Sequence, residues 1–142
     1  MSVEEMMLTM IDSYPTVWRE ELAWAAGFWQ GEGSIGFAKD RRDGSRMLRM
    51  NAAQKDIRPL ERFRAALLGI GVITLPRKRS GVRYWTAQNF EHVQVAVAML
   101  WQFLSPPKKE QAFKALQAYK AAVPTKRAYS MKGGKVTSWH VR

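Results

Sequence analysis

Residues 25–37 read "AAGFWQGEGSIGF", and the run Gly31-x-Gly33-x-x-Gly36 within them has the spacing of the glycine fingerprint that cradles a dinucleotide pyrophosphate. That fingerprint works where it follows a strand and opens a helix, because the helix N-terminus supplies the N–H groups and the positive end of the dipole. Upstream, residues 17–30 ("VWREELAWAAGFWQ") carry acids in their first turn and no strand-like alternation, which predicts a helix starting near Thr16. Downstream, "SIGFAK" and "RMLRMNAAQ" read as strands about "DRRDGSR", where Asp43-Gly44 is a strong hairpin turn. The glycines therefore leave a helix and enter a strand, the reverse of the nucleotide context. A kinase glycine loop fails as well, since the chain is short and lacks the His-Arg-Asp and Asp-Phe-Gly elements.

The same alternation of helix and ribbon continues outward. Asp56 is placed to cap a helix running to about Leu68, with Leu60, Phe63, Leu67 and Ile70 inward and Gly69 and Gly71 ending it. "GVITLP" and "VRYWTAQ" about "RKRSG" predict a second hairpin, residues 89–104 a helix, and Ser105-Pro106 a stop followed by a last helix over 107–123. Residues 2–13 read as a short helix with Met6, Met7 and Met10 on one side. From residue 124 the chain is basic, contains Gly133-Gly134, and is expected to be a mobile tail. The expected organisation is an N-terminal extension (1–15), one α+β domain (16–123) and that tail (124–142).

Composition narrows the function classes. The 142 residues hold no cysteine and two histidines, which excludes disulfides and thiolate metal sites and argues against a zinc enzyme. No run approaches the length of a membrane span and the start is acidic, so the expectation is a soluble, cytoplasmic protein, with an organellar stroma or matrix possible if it is organelle-encoded. The net charge of +11 points to a polyanionic partner. It is unevenly spread: residues 1–32 hold six acids and one base, net −5, whereas residues 33–142 hold 22 bases and six acids, net +16. Charge alone leaves a ribosomal protein, a DNA-binding regulator and a nuclease open.

Glu32 stands at the C-terminal end of the first helix, where the dipole is already negative and an acid is mildly destabilising. A divalent cation would compensate, above all if a second copy of the helix packed on the side of the first helix made of small residues, Ala23, Ala26, Gly27 and Gln30, and brought its own Glu32 close. The residues alone leave a second reading open, a solvated Glu in a helix-to-strand turn with Gly31 and Gly33 supplying backbone freedom.

Ala25 to Gly33, read with the preceding "ELAW" and the following "SIGF", resembles the motif of the LAGLIDADG homing endonucleases, in the variants reading A-G-F-x-D-G-E-G-S. "AAQKDIRPLERFRAALLGIGVI" is similar to that family's second strand and following helix, and "LSPPKKEQAFKAL" to its later Lys-x-x-Gln helix start, so the resemblance covers about residues 20–120. It implies an αββαββα domain with a saddle-shaped antiparallel sheet for double-stranded DNA. With one motif copy it also implies a homodimer, meeting through Leu22, Ala23, Ala26, Gly27 and Gln30. The implied activity is site-specific, Mg²⁺-dependent (or Mn²⁺- or Ca²⁺-dependent) double-strand cleavage across the minor groove, in an intron- or intein-encoded setting, with neither a membrane nor a small-molecule substrate involved.

By position Glu32 matches the metal-binding acid, with Gly31 beside it as a metal ligand; Gln54 matches the polar residue that helps order water at the metal. Lys108 matches the basic residue near the scissile phosphate, with Lys109 a rival. Gln30 departs from the family's frequent acid and leaves weak or absent cleavage open. A non-cleaving nucleic-acid binder, such as an intron RNA maturase or a regulator on the same fold, is the alternative.

A two-stranded ribbon fits the major groove, and Arg or Lys bidentate to guanine is the commonest specific contact. The candidates are Ser34, Lys39, Arg41, Arg42, Arg46 and Arg49 on the first ribbon and Arg77, Lys78, Arg79, Arg83 and Trp85 on the second. Strand alternation sends only about half of such a set toward DNA, and register decides which half. Ribbons of about nine residues would span roughly 30 Å, so two protomers would cover about 20 base pairs. The six tryptophans are expected chiefly as core and dimer anchors.

Overall fold

The computed structural model describes residues 2–4, 15–39 and 44–132, with residues 15–17 and 123–132 as backbone only. Helix α1 spans Pro15–Glu32 and passes directly into strand β1, Gly33–Lys39, which returns as β2, Arg46–Gln54. Helix α2, Ile57–Ala66, follows, then β3 (Val72–Ile73), β4 (Arg83–Ala87), α3 (Phe90–Leu100), a 3-10 turn (Trp101–Phe103) and α4, Pro106–Lys132. The expected α+β order of helices and hairpins is thus the observed one. No described helix is long and apolar enough to cross a membrane. The helix expected over 2–13 lies mostly, and residues 133–142 of the tail lie wholly, outside the described residues.

The strands form one antiparallel sheet in the order β1-β2-β4-β3. Its register pairs Ile35 with Met50, Phe37 with Leu48 and Ala52 with Trp85, and these side chains point to the helices. They join Leu22, Ala25, Ala26 and Trp29 of α1, Leu60 and Phe63 of α2, and Val93, Val97 and Leu100 of α3 in one apolar core. Because successive strand side chains alternate faces, the other set must point away from the helices: Ser34, Gly36 and Ala38, Met47, Arg49 and Asn51, Tyr84 and Thr86. Among the described residues no helix packs across that face, and a concavity opens on it.

Local chemistry sets the element ends. Asp56 caps α2 by accepting from the Arg58 backbone N–H at 2.9 Å, and the Arg58 guanidinium holds its carboxyl down at about 2. Asn89 caps α3 through the N–H groups of Glu91 and His92. The helix expected to reach Leu104 instead tightens at Trp101, because Ser105 precedes Pro106 and is driven from helical geometry. The last helix is longer than expected, staying helical through Pro124 to Lys132. Tyr119 seats it, stacked on Phe90 at 4.7 Å and edge-on to Phe37 at 5.9 Å.

The second hairpin is less regular than the first. Pro76 has no N–H to give the ladder, and β3 is only two residues long, although Thr74 N–H donates to Tyr84 O and Arg77 N–H to Val82 O beyond it. Gly71 at its root has φ 86° and lies against the Trp85 indole, so both its backbone geometry and the space exclude a side chain.

Candidate active site and nucleic-acid interface

The helix-to-strand joint brings together two of the three expected catalytic residues. Glu32 is the last residue of α1 and is exposed, with no side-chain hydrogen-bond or ion-pair partner among the described residues. Lys108, in the first turn of α4 and 75 positions beyond Gly33, donates from Nζ to the Gly33 carbonyl oxygen at 2.9 Å. Its ammonium also lies 4.7 Å from the centre of the Trp29 ring, a cation–π contact. Partial desolvation pushes the Lys108 pKa down from the ordinary lysine value. Lys109 turns elsewhere, over the Trp101 ring at 5.5 Å, so of the two lysines Lys108 is the one bonded at the joint.

Gln54 closes β2. Gly33 faces Ala52 in the ladder, so Gln54, two residues further on the same parity, projects about 7 Å past the joint, alongside the end of α1. It is half-buried and opposite Arg83. Among the described residues no three His, Cys, Asp or Glu side chains gather. One chain offers Glu32 at this point, with the unsatisfied carbonyls that every helix C-terminus leaves, Gly31 among the candidates. These are hard oxygen donors, the type that Mg²⁺ and Ca²⁺ prefer.

The expected interface set on α1 divides. Leu22 and Ala26 are 4% and 0% exposed and belong to the chain's own core, which corrects their assignment to a dimer surface. Ala23 and Gly27 are exposed on the outer side, and a Cβ added at Gly27 or Gly31 would meet nothing within 4 Å. Gln30 is half-buried and its Oε1 accepts from the Ser105 backbone N–H at 2.6 Å, which ties the end of α1 to the start of α4. An amide at position 30 thus has an intrachain partner. Small residues give no apolar direction, so the sequence could not tell which side of the helix is covered.

On the open face of the sheet lies a concavity of about 910 Å³ lined by Arg49 and Asn51 of β2, Thr74, Arg77, Tyr84, Thr86, Gln88 and His92. Register sorts the expected DNA-contacting residues around it. Ser34 and Arg49 are exposed on this face, and Ser34 Oγ donates to Asn51 Oδ1 at 3.0 Å. Arg77, Lys78 and Arg79 are exposed at the second hairpin's tip, with Arg77 stacked over Tyr84 at 4.8 Å. Lys39 and Arg46 pair with each other on the opposite parity, near the end of the first ribbon, and Arg83 shares that parity with Gln54. Arg41 and Arg42 lie outside the described residues.

Trp85 is a correction. It is fully buried, edge-on to Phe63, and its Nε1 donates to Ile70 O at 2.8 Å, so it is a core residue and not a DNA contact. Of the concavity's polar residues, Asn51, Tyr84, Thr86, Gln88 and Thr74 are absent from the expected set. Each is uncharged, and pairing or parity places three of them: Asn51 opposes Thr86, and Thr86 and Tyr84 alternate with Trp85. A search for basic residues could not find them.

No protein-family model matches this sequence, and no curated protein matches it. Solved structures do. The homing endonuclease I-CvuI in complex with its target in the presence of 2 mM Ca aligns with a TM-score of 0.67 at 20% identity, over 82% of this chain and 76% of that one. I-CvuI with the I-CreI target in 2 mM Mg, with the DNA not cleaved, gives 0.62 at 21% over 72% and 68%. The group I intron-encoded homing endonuclease I-CeuI complexed with DNA gives 0.58 at 18% over 78% and 60%. The LAGLIDADG meganuclease I-AabMI bound to uncleaved DNA gives 0.56 at 20%, over 70% of this chain and 38% of that one. The fold is the one those proteins share.

Proposed function

We propose that this protein is a site-specific, divalent-metal-dependent DNA endonuclease that acts as a homodimer. The carrying observation is that Lys108 is bonded to Gly33, the residue next to the exposed Glu32, at one edge of a sheet whose open face presents Arg49, Asn51 and Arg77. The likeness to DNA-bound homing endonucleases supports double-stranded DNA as the substrate.

The Glu32 carboxylate and the Gly31 carbonyl would hold the cation, with the second carboxylate coming from Glu32 of the partner protomer. A divalent cation, when bound, acidifies a water and neutralises charge on a phosphodiester oxygen. Gln54, at the strand end past the joint, would orient the attacking water through its amide. Lys108 spends one of its three N–H donors on Gly33 O and keeps two for phosphate oxygens. Partial removal from water strengthens those bonds. The exposed small side of α1, Ala23, Gly27 and Gly31, allows a second copy of the helix to approach closely. The chain spans less than half of I-AabMI, which is consistent with two copies making one complete enzyme.

The test uses DNA from the site flanking the insertion that carries this reading frame. Magnesium-dependent cleavage by a protein that sediments as a dimer is the expected result; cleavage retained by Glu32→Gln overturns the assignment. One observation favours a second reading, a binder on the same fold that does not cut. Gln30 brings no acid and is engaged with Ser105, which lowers the carboxylate count. Tight, specific binding of that DNA, or of the intron RNA, with no cleavage in magnesium selects it.

A further inference from the structure

Three tryptophans use the indole N–H in the same way, to tie an element to a distant backbone carbonyl. Trp18 donates to Ala66 O at 3.3 Å, Trp85 to Ile70 O at 2.8 Å and Trp29 to Asn51 O at 3.0 Å. Trp29 alone does so at the candidate site. Its ring is fully buried, it packs so closely on Gly33 that a Cβ there would collide with it, and its face carries the Lys108 ammonium. One rigid side chain therefore touches the peptide after Glu32, the general electrostatic group on α4, and the β2 backbone at a residue whose side chain lines the open face.

We propose that Trp29 is the positioning residue of this site, fixing the Glu32–Gly33 peptide and Lys108 relative to each other and to Asn51 of the sheet. Its consequence for catalysis rests on the endonuclease reading above; the clamp itself does not. The four-residue spacing sets the ring against Gly33 just past the end of α1, where a side chain would collide with both the indole and the Asn51 carbonyl, so indole and glycine together fix the path by which the chain leaves the helix. Side chains that act through preorganised neighbours lose function when the support loosens by a fraction of an ångström, well before the fold is lost.

The test compares Trp29→Phe with Trp18→Phe. Both keep a ring and lose one buried indole donor, and Trp18 lies away from the site. Amide hydrogen exchange on the full chain should rise about tenfold at residues 32–34 in Trp29→Phe alone, the factor that loss of one net hydrogen bond allows. On cognate DNA at saturating concentration, single-turnover cleavage by Trp29→Phe should fall about tenfold with DNA affinity unchanged, and Trp18→Phe should match the parent protein.

Unchanged exchange at residues 32–34 in Trp29→Phe overturns the proposal whatever happens to cleavage. Exchange that rises while cleavage holds overturns the positioning role. Exchange that rises while the parent protein fails to cut supports the clamp and removes the endonuclease reading instead. If Trp29→Phe does not fold, the parent protein decides: a Trp29 indole N–H exchanging as fast as that of an exposed tryptophan refutes the clamp, and a protected one supports it.

Discussion

The helix-to-strand joint and the open sheet face lie on the same two strands yet are built by opposite means. At the joint three long-range hydrogen bonds fix the geometry: Trp29 N–H to Asn51 O, Lys108 to Gly33 O, and the Ser105 N–H to Gln30. Glu32 is left over. On the face, Arg49, Thr86 and Gln88 stand at or near solvent with backbone ladders beneath them and little that fixes their side chains. A site that does chemistry needs fixed geometry, whereas a surface that reads a long polymer needs many adjustable contacts. Under the endonuclease reading proposed above, chemistry belongs at the joint and recognition on the face, and the two are separable by measurement.

The sharpest way to break that division is at Glu32. Glu32→Gln is expected to lower single-turnover cleavage by about a hundredfold or more while DNA affinity in calcium stays within a few-fold, since one hard ligand is lost and no surface contact is. Equal loss of binding and cleavage would erase the distinction. Gly33→Ala comes next, because the added methyl meets the Trp29 ring and the Asn51 carbonyl. It should destabilise the fold by about 1–3 kcal/mol, read as a fall in denaturant midpoint, and should depress cleavage further than stability explains.

On the face, Arg49→Ala is expected to weaken specific DNA binding about tenfold with the saturated cleavage rate unchanged, the value of one good base contact. Arg77→Ala, at the ribbon tip, should act weakly and uniformly on all sequences and reduce the slope of log K against log salt by about one. The smallest effect is one of pH and lies outside both regions. Asp56 has its folded pKa depressed to about 2, so the capping contribution is present above the ordinary aspartate range and lost as pH falls toward 2. The carboxyl and its Arg58 partner lie at the surface, where water screens the pair, so the resulting acid shift in melting temperature should be slight, and absent in Asp56→Asn.

Much of this was legible in the sequence because several independent patterns agreed. Asp56 and Asn89 stood where helix caps belong, Asp43-Gly44 marked a hairpin, and the period changed from helical to alternating at Gly33. The joint was legible in part. Glu32 was singled out by its unfavourable place at a helix end, and Lys108 by a resemblance that named Lys109 as its rival. What the sequence could not state is that Lys108 is the lysine bonded to Gly33. Two things stayed hidden for physical reasons. Alanines and glycines on α1 carry too little apolar surface to state which side is covered, so Leu22 and Ala26 were placed outside when the core claims them. Alternation along β4 gives two possible faces, and Trp85 was put on the wrong one because register is a property of the paired strand, not of the single one.

That register has a consequence for how such a protein could change its preferences over time. The outward set, Ser34, Ala38, Met47, Arg49, Asn51, Tyr84 and Thr86, alternates residue by residue with the core set on the same strands. Drift in one set leaves the packing of the other untouched, so variants with new tastes need not be less stable than their parent. Even Asn51 obeys this, because Trp29 is bonded to its main-chain carbonyl, which any residue at that position would offer. If the open face reads DNA, a lineage exploring new targets would be expected to vary all the outward positions, Asn51 included, while the indole anchor beneath stays in place.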